Sequence, residues 1–156
     1  MEQNCLICGL EESEETDVVF RDELWAAEIV PSYDVPGWFF LRARRHAERI
    51  TGLNEREQET FGRRARDLVA AVTHATGAEA TYILMFGEAF PHFHALVAAR
   101  TADIPADRRG GDILKLRGEQ ADPERARALV PAVRDAYAEL TSEPLVVSQG
   151  APAEGS

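Results

Sequence analysis

Two cysteines and four histidines are the only thiol and imidazole groups in the 156-residue chain. Five of those six fall in three places: Cys5-Leu6-Ile7-Cys8, His46, and His92-Phe93-His94. A Cys-x-x-Cys turn aims both thiolates at one point, and two separate His would complete the tetrahedral shell that Zn2+ prefers. The Cys pair by itself leaves chance, redox and metal readings equally open. A thioredoxin-like pair, however, lies between a strand and a helix rather than at the start of the sequence. His92 and His94 are two apart on an expected strand, so they share one face with Leu96, while Phe93, Ala95 and Val97 take the other. Such a pair is either a structural cross-strand contact or a presented one, and the turn Gly87-Glu88-Ala89-Phe90-Pro91 leading into it favours presentation. Imidazole also attacks phosphorus, forming a covalent phosphoramidate that splits a difficult displacement in two.

The elements that must position these groups follow from pattern. Val18–Phe20, Leu24–Val30 and Trp38–Ala43 are short, aromatic and β-branched runs, the last two separated by Pro31, Pro36 and Gly37; they read as antiparallel strands. Asn54 with Glu57 three residues on forms a capping box, and Phe61, Ala65, Leu68, Val69 and Val72 then recur at helical spacing before Gly77. His74, near the end of that helix, reads as a surface residue complementing the helix dipole. Two further strands are expected over Thr81–Phe86 and His92–Arg100. A Gly110-Gly111 break, an apolar run Ile113–Leu116 and a helical segment from Asp122-Pro123 follow, with Pro131 expected to kink or divide that segment. The class is α+β: about five antiparallel strands packed by one long helix and a C-terminal helical segment.

Composition narrows the function classes. With 27 acidic against 17 basic side chains and a formal net charge of -10, no phosphate-neutralising surface is expected, so nucleic acid is not a partner. No apolar run approaches the roughly 20 residues that span a bilayer, and MEQNCLICGLEESEE lacks a basic segment followed by an apolar one, so neither a membrane nor a leader is expected. The expectation is a cytoplasmic protein, in which paired cysteines serve more often as ligands or redox groups than as disulfides. The length suits one domain, read as 1–147, with 148–156 (SQGAPAEGS) as a disordered tail. Glu11–Asp17 reads as a solvated acidic loop. One basic residue is Lys (Lys115) and sixteen are Arg. Arg42, Arg44, Arg45 and Arg49 fall together, either as forks for phosphate or carboxylate or as a consequence of genomic composition.

Gly87 to Arg100, GEAFPHFHALVAAR, resembles the signature of the histidine triad (HIT) superfamily, in which a Gly-led turn runs into His-x-His-x-His. Cys5-x-x-Cys8 resembles the N-terminal metal pair of its zinc-containing members. Pro36-Gly37-Trp38-Phe39-Phe40-Leu41 leading to Arg44-Arg45-His46 is similar to their strand ending in a basic residue and a His, and Leu53–Glu57 opens the helix that follows. The resemblance covers roughly residues 5 to 117. It implies the HIT-like fold, a structural Zn2+ on Cys5, Cys8, His46 and His92, and a homodimer paired through the long helix and a sheet edge. It also implies His94 as the nucleophile that attacks the α-phosphorus of a nucleotide ester, anhydride or phosphoramidate and holds a nucleotidyl-histidine until an acceptor takes it.

The motif departs from that pattern at several positions. Leu96 stands for the third His, Glu88 for a Gln, and Ala89 for a small hydroxyl residue; YILMF over Tyr82–Phe86 contains no Asn, and Ala99-Arg100 replaces a Pro-Arg ending. One superfamily branch, the uridylyl-transferring one, carries Gln at the third position, but Leu has no donor at all. Losing one oxyanion donor costs about 2.7–4 kcal/mol of transition-state stabilisation. Three functions therefore stand in the sequence. The first is a nucleotide hydrolase or nucleotidyl transferase using His94, with a base pocket from Leu24, Trp25 and Ile29, Leu96 beside it, and phosphate contacts from Arg44 and Arg100. The second is a HIT-fold enzyme of altered, non-phosphate chemistry with Glu88 as acid or base. The third is a zinc-stabilised module that binds a nucleotide or protein without turnover. Trp25 and Trp38 are expected in the core rather than in a pocket.

Overall fold

A computed structural model describes residues 4–142; the proposed tail 148–156 and the end of the 1–147 range lie outside the described residues. In chain order the elements are α1 (Leu6–Gly9), β1 (Val18–Arg21), β2 (Trp25–Glu28), β3 (Trp38–Ala43), α2 (Glu55–Thr76), β4 (Ala80–Leu84), β5 (His94–Arg100), α3 (Arg117–Gln120) and α4 (Pro123–Ser142). The strands form one antiparallel sheet in the order β1-β2-β3-β5-β4. The α+β reading therefore holds, with strand ends one or two residues from those expected, and β5 is inserted between β3 and the edge strand β4.

Strand alternation divides the interior in two. Phe39, Leu41 and Ala43 of β3, with Val97 and Ala99 of β5, pack under α2 and α4. Trp38 and Phe40, with Leu96 and Ala98, face the opposite side, where Ile7, Leu10, Ile113 and Leu116 cover them. Both faces are covered, which explains why all six residues of β3 are buried rather than every second one.

Helix α2 begins as its sequence dictates. The Asn54 side chain accepts from the Glu57 amide at 2.9 Å and the Glu57 carboxylate accepts from the Asn54 amide at 2.7 Å. It ends at Gly77, whose φ of 70° is the left-handed conformation that closes a helix at little cost only in glycine. His74 is exposed in its last turn.

Two expectations are corrected. Pro131 does not divide the C-terminal segment: α4 runs unbroken through it, because one missing donor is outweighed by the burial of Ala126, Val130, Val133 and Tyr137 against the sheet and α2. The acidic stretch Glu11–Asp17 is not simply solvated. Glu11 pairs with Arg42 at 2.6 Å and with Arg44 at 2.8 Å, and Asp17 pairs with Arg127 at 2.8 Å. Arg42 also holds Glu28 with two hydrogen bonds of 2.9 and 3.1 Å, and neither side chain is exposed. Two strands and the N-terminal segment are thereby joined by one buried ion cluster, on the sheet face that carries Trp38 and Phe40.

Candidate functional site: a thiol–imidazole cluster beside a His94 cavity

Cys5 caps the four-residue helix α1, its sulfur accepting from the Cys8 amide at 3.2 Å, so one helical turn brings both thiols to the same side. His46 follows β3, and its segment is anchored by Arg45, whose guanidinium donates to Glu57 at 2.7 and 3.1 Å and to the Gly52 carbonyl at 2.8 Å. The stretch before β5 is joined to this one through the backbone: the Phe93 amide donates to the Ala47 carbonyl and the Ala43 amide to the Phe93 carbonyl. His46 and His92, 46 residues apart in sequence, thus converge on the two thiols.

The four donor atoms all lie within 4.8 Å of one another. Cys8 Sγ is 3.2 Å from His46 Nδ1 and 3.4 Å from His92 Nδ1; Cys5 Sγ is 3.5 Å from His92 Nδ1; the two Nδ1 atoms are 3.2 Å apart. Donors at the corners of a tetrahedron whose metal–ligand bonds are about 2.0–2.3 Å stand roughly 3.3–3.8 Å from each other, so the set fits a four-coordinate ion. The ring of His92 is also oriented for that role. Its Nε2–H donates to the Ala43 carbonyl at 2.6 Å, leaving Nδ1 with its lone pair, and burial holds its pKa below the usual imidazole range.

His94, the first residue of β5, turns away from this cluster. The two imidazoles of the motif are therefore not side by side: His92 precedes the strand, is fully buried and joins the thiols, whereas His94 stacks on Phe40 (centroids 5.3 Å apart, planes 10° apart). His94 Nδ1–H donates to the His92 carbonyl at 2.7 Å. A carbonyl only accepts, so Nε2 is the nitrogen that keeps its lone pair. Burial lowers the His94 pKa, opposed in part by that hydrogen bond.

Two cavities meet at His94. One, of about 290 Å³, is lined by Tyr33, Trp38, Phe40, Phe90, Leu96 and Arg117 among others. The other, of about 450 Å³, includes Arg49, Thr51, Met85 and Phe86 in its wall. Gly87, with φ of 76°, opens the turn that passes between them and borders both.

Comparison of the sequence with models of known families and with curated proteins finds no match. Solved structures do match. A hypothetical histidine triad nucleotide-binding protein from Sulfolobus tokodaii strain7 superposes with a TM-score of 0.69 at 16% identity, over 88% of this chain and 94% of that one. A Hit-like protein involved in cell-cycle regulation from Bartonella henselae gives 0.66 at 15%, over 87% and 98%. A Zn-bound histidine triad family protein from Mycobacterium smegmatis gives 0.65 at 18%, over 89% and 96%. The chain has the histidine triad fold.

Within that histidine triad fold, the structure sets several expected site residues apart from the His94 cavities, and Trp25 takes the core position that the sequence also favoured for it. Trp25 and Ile29 lie in the core beneath α2 and α4, and Trp25 is fully buried with its Nε1–H donated to Thr60 at 2.8 Å; Leu24 packs against the same core. The alternation of β2 turns Trp25 and Ala27 to the helical face, whereas the cavity is on the other. Arg44 is held by Glu11 and by the Asp22 carbonyl, and Arg100 by Glu79 at 2.5 Å, both away from the two cavities. Glu88 is exposed in the turn, so the apolar surroundings that would suit it to acid–base work are not there. Leu96 does line the cavity, beside Phe40 in the strand register.

Of the two cations in the walls of the His94 cavities, Arg117 was missed, whereas Arg49 belongs to the Arg group that the sequence offers as phosphate or carboxylate forks. Arg117 stacks over Tyr33, its Cζ 3.9 Å from the ring centre, and donates from Nε to the Ser32 carbonyl at 2.8 Å. Arg49 borders the second cavity. The signal for Arg117 was the apolar run Ile113–Leu116 just before it. That run folds as a 3-10 turn with Ile113 and Leu116 buried, laying the segment over the Trp38 face of the sheet.

Proposed function

We propose that this protein is a nucleotide hydrolase or nucleotidyl transferase of the histidine triad type, acting at an α-phosphorus through His94, with Zn2+ held structurally by Cys5, Cys8, His46 and His92. The observation that carries the reading is the fixed imidazole of His94, with Nδ1–H tied to the His92 carbonyl and Nε2 unprotonated at the junction of two cavities. Nε2 attacks the phosphorus and the bond to the leaving group breaks, its electron pair departing with that group, which takes a proton from solvent. Water or another acceptor then attacks, the P–N bond breaks, and His94 returns neutral as the acceptor gives up its proton. Held by Cys5, Cys8, His46 and His92, Zn2+ would tie the N-terminal turn to the sheet and would supply a structural clamp rather than a reacting centre. Arg117 and Arg49 replace Arg44 and Arg100 as the phosphate contacts, and the guanidinium charge stands in for donors that Leu96 and Ala89 lack.

In the same reading the chain is a homodimer paired through the long helix α2 and the β4 sheet edge, with Ile83 of β4 and Met85 and Phe86 just after it exposed. It works in the cytoplasm on a small-molecule substrate, with neither nucleic acid nor membrane as a partner; among the described residues no helix is long and apolar enough to cross a bilayer.

A second reading, a module that binds nucleotide without turnover, is favoured by one observation: Leu96, almost fully buried, puts a hydrocarbon where an oxyanion donor would stand. Steady-state turnover separates the two. A panel of nucleoside 5′-phosphoramidates and dinucleoside polyphosphates is expected to yield nucleoside monophosphate with the wild type and none with His94→Ala. Tight binding with equal, background turnover in both proteins would establish the binding module instead.

A further inference from the structure

A third cavity, of about 430 Å³, opens at the β1 edge of the sheet, between β1, α2 and α4. It shares no residue with the two cavities at His94. Four arginines line it: Arg21 of β1, Arg63 and Arg64 of α2, and Arg134 of α4, with Asp22 the one acid in the wall. The chain as a whole carries a net charge of -10, so this gathering of cations runs opposite to the rest of the molecule.

Two of the four are compensated. Arg64 Nε donates to Asp22 at 2.6 Å, and Arg63 Nε to Asp67 at 3.1 Å. The Asp22 carboxylate also accepts from the Leu24 and Trp25 amides. Arg21, by contrast, donates only to the Leu10 and Ser13 carbonyls, and Arg134 only to those of Glu15 and Val18. A carbonyl satisfies a hydrogen bond without neutralising the charge, so among the described residues two guanidinium groups of the wall have no carboxylate against them. Both are half-buried, where water screens them less, and the potential of the cavity favours an anion.

Tyr137 supplies an independent observation. It is 5% exposed, and its ring stacks on Phe20 with centroids 4.1 Å and planes 4° apart. Its hydroxyl makes no hydrogen bond among the described residues, which is uncommon for a buried polar group. Burial pushes its pKa up, so it stays a donor, and the charges acting on it are those of Arg64, Asp22, Asp67 and Arg63. Three of these four residues belong to the cavity wall, which sets the hydroxyl at the polar end of the cavity.

We propose that this cavity is a second anion site, taking a phosphate dianion, free or as a monoester, whose two charges match Arg21 and Arg134 and whose oxygens accept from the Tyr137 hydroxyl and from unpaired guanidinium N–H groups. The site is independent of phosphate transfer at His94. Arg21 and Arg134 also hold the carbonyls of Leu10, Ser13, Glu15 and Val18, so a bound phosphate braces the segment that follows Cys8 against β1 and α4.

The test is isothermal titration calorimetry of the full-length, zinc-loaded protein at fixed ionic strength, with inorganic phosphate, glycerol 2-phosphate and succinate as probes. Arg117→Gln serves as the background, because it removes the guanidinium beside His94. Tyr137→Phe is added to it, deleting a hydroxyl without a partner while keeping the ring on Phe20, and is expected to leave the melting temperature unchanged. The expected result is that Arg117→Gln binds one phosphate, that the double variant binds it about tenfold or more weakly, and that succinate binds neither protein measurably. Tighter binding of the ester than of inorganic phosphate would identify a phosphorylated metabolite as the source, and the reverse order the free anion. Loss of all phosphate binding in Arg117→Gln would place the anion at His94 and overturn the proposal. Equal affinity in the single and double variants, or succinate bound as tightly as phosphate, would overturn it as well. Each outcome is read without turnover, so the catalytic reading stands or falls separately.

Discussion

The thiol–imidazole cluster and the His94 cavity are separated by two residues of one motif, yet they differ in how far the protein completes them. At the cluster all four donors are present, their spacing fits a tetrahedral ion, and His92 is fixed in the ligand tautomer by the Ala43 carbonyl. At the cavity His94 is held just as firmly by the His92 carbonyl, but Leu96 and Ala89 bring no hydrogen-bond donor side chain, the guanidinium in the same wall is that of Arg117, and Trp38 has an N–H without a partner among the described residues. The difference separates two kinds of constraint. A structural metal contributes to folding whatever the reaction is, so its ligands are held by stability; the cavity wall answers only to the ligand and is free to change with it.

Perturbing the cluster is expected to have the largest effect. Cys8→Ala, or exhaustive chelation of the wild type, removes a ligand set whose metal-binding energy is folding energy. The melting temperature is expected to fall by more than about 10 °C while zinc content drops from one equivalent to near zero. An apo protein melting within a few degrees of the holo form would remove the metal from the account of stability.

Next in size is the buried ion cluster. Arg42→Met strands the Glu28 carboxylate with no exposure, and a loss of about 3–5 kcal/mol is expected in urea denaturation. The double variant with Glu28→Met should recover most of it, because the penalty is the unpaired charge rather than the lost attraction.

The cavity is tested in the opposite sense, by addition. Leu96→His puts a donor back beside His94 and is expected to raise turnover by about 10²–10³-fold with little change in metal content. No gain would mean that the Arg residues already supply what the third imidazole would.

The smallest effect is pH-dependent. Hydrogen bonding to Arg44, partly opposed by burial and reinforced by Arg42, lowers the Glu11 pKa from the usual 4.5 to about 2. A depressed carboxyl contributes stability that is fully present above its unfolded value and lost as pH falls through the folded one. The wild type should therefore lose on the order of 2 kcal/mol between pH 4.5 and 2 that Glu11→Gln does not. Parallel acid limbs in the two proteins would show that the pair is not felt at the level of stability.

The sequence revealed the sheet and the long helix because both rest on local patterns: the short apolar, aromatic-rich run Trp38–Ala43 behind Pro36-Gly37, and the Asn54–Glu57 box ahead of an apolar run at helical spacing. The cluster was visible as residue types, although its assembly came through the resemblance rather than from spacing. What was not visible depends on which face of the sheet a residue takes. Trp25 and Ile29 satisfy the pattern for a pocket as well as for a core, and only the packing of α2 on β2 decides between them. Arg42 reads like its neighbours Arg44 and Arg45, but the inward phase of β3 buries it against Glu28. Arg117, 23 positions after His94, reaches the cavity because a 3-10 turn folds back across the sheet; the apolar run Ile113–Leu116 marks that turn as buried but not which face of the sheet it covers.

Native mass spectrometry of the full-length protein, incubated with a nucleoside 5′-phosphoramidate and compared with His94→Ala, tests the separation of the two regions in one spectrum. The account predicts one zinc in both proteins and a nucleotidyl adduct in the wild type alone. Zinc in both with no adduct across the substrate panel would contradict the catalytic half, and an adduct on a zinc-free, folded chain would contradict the structural half.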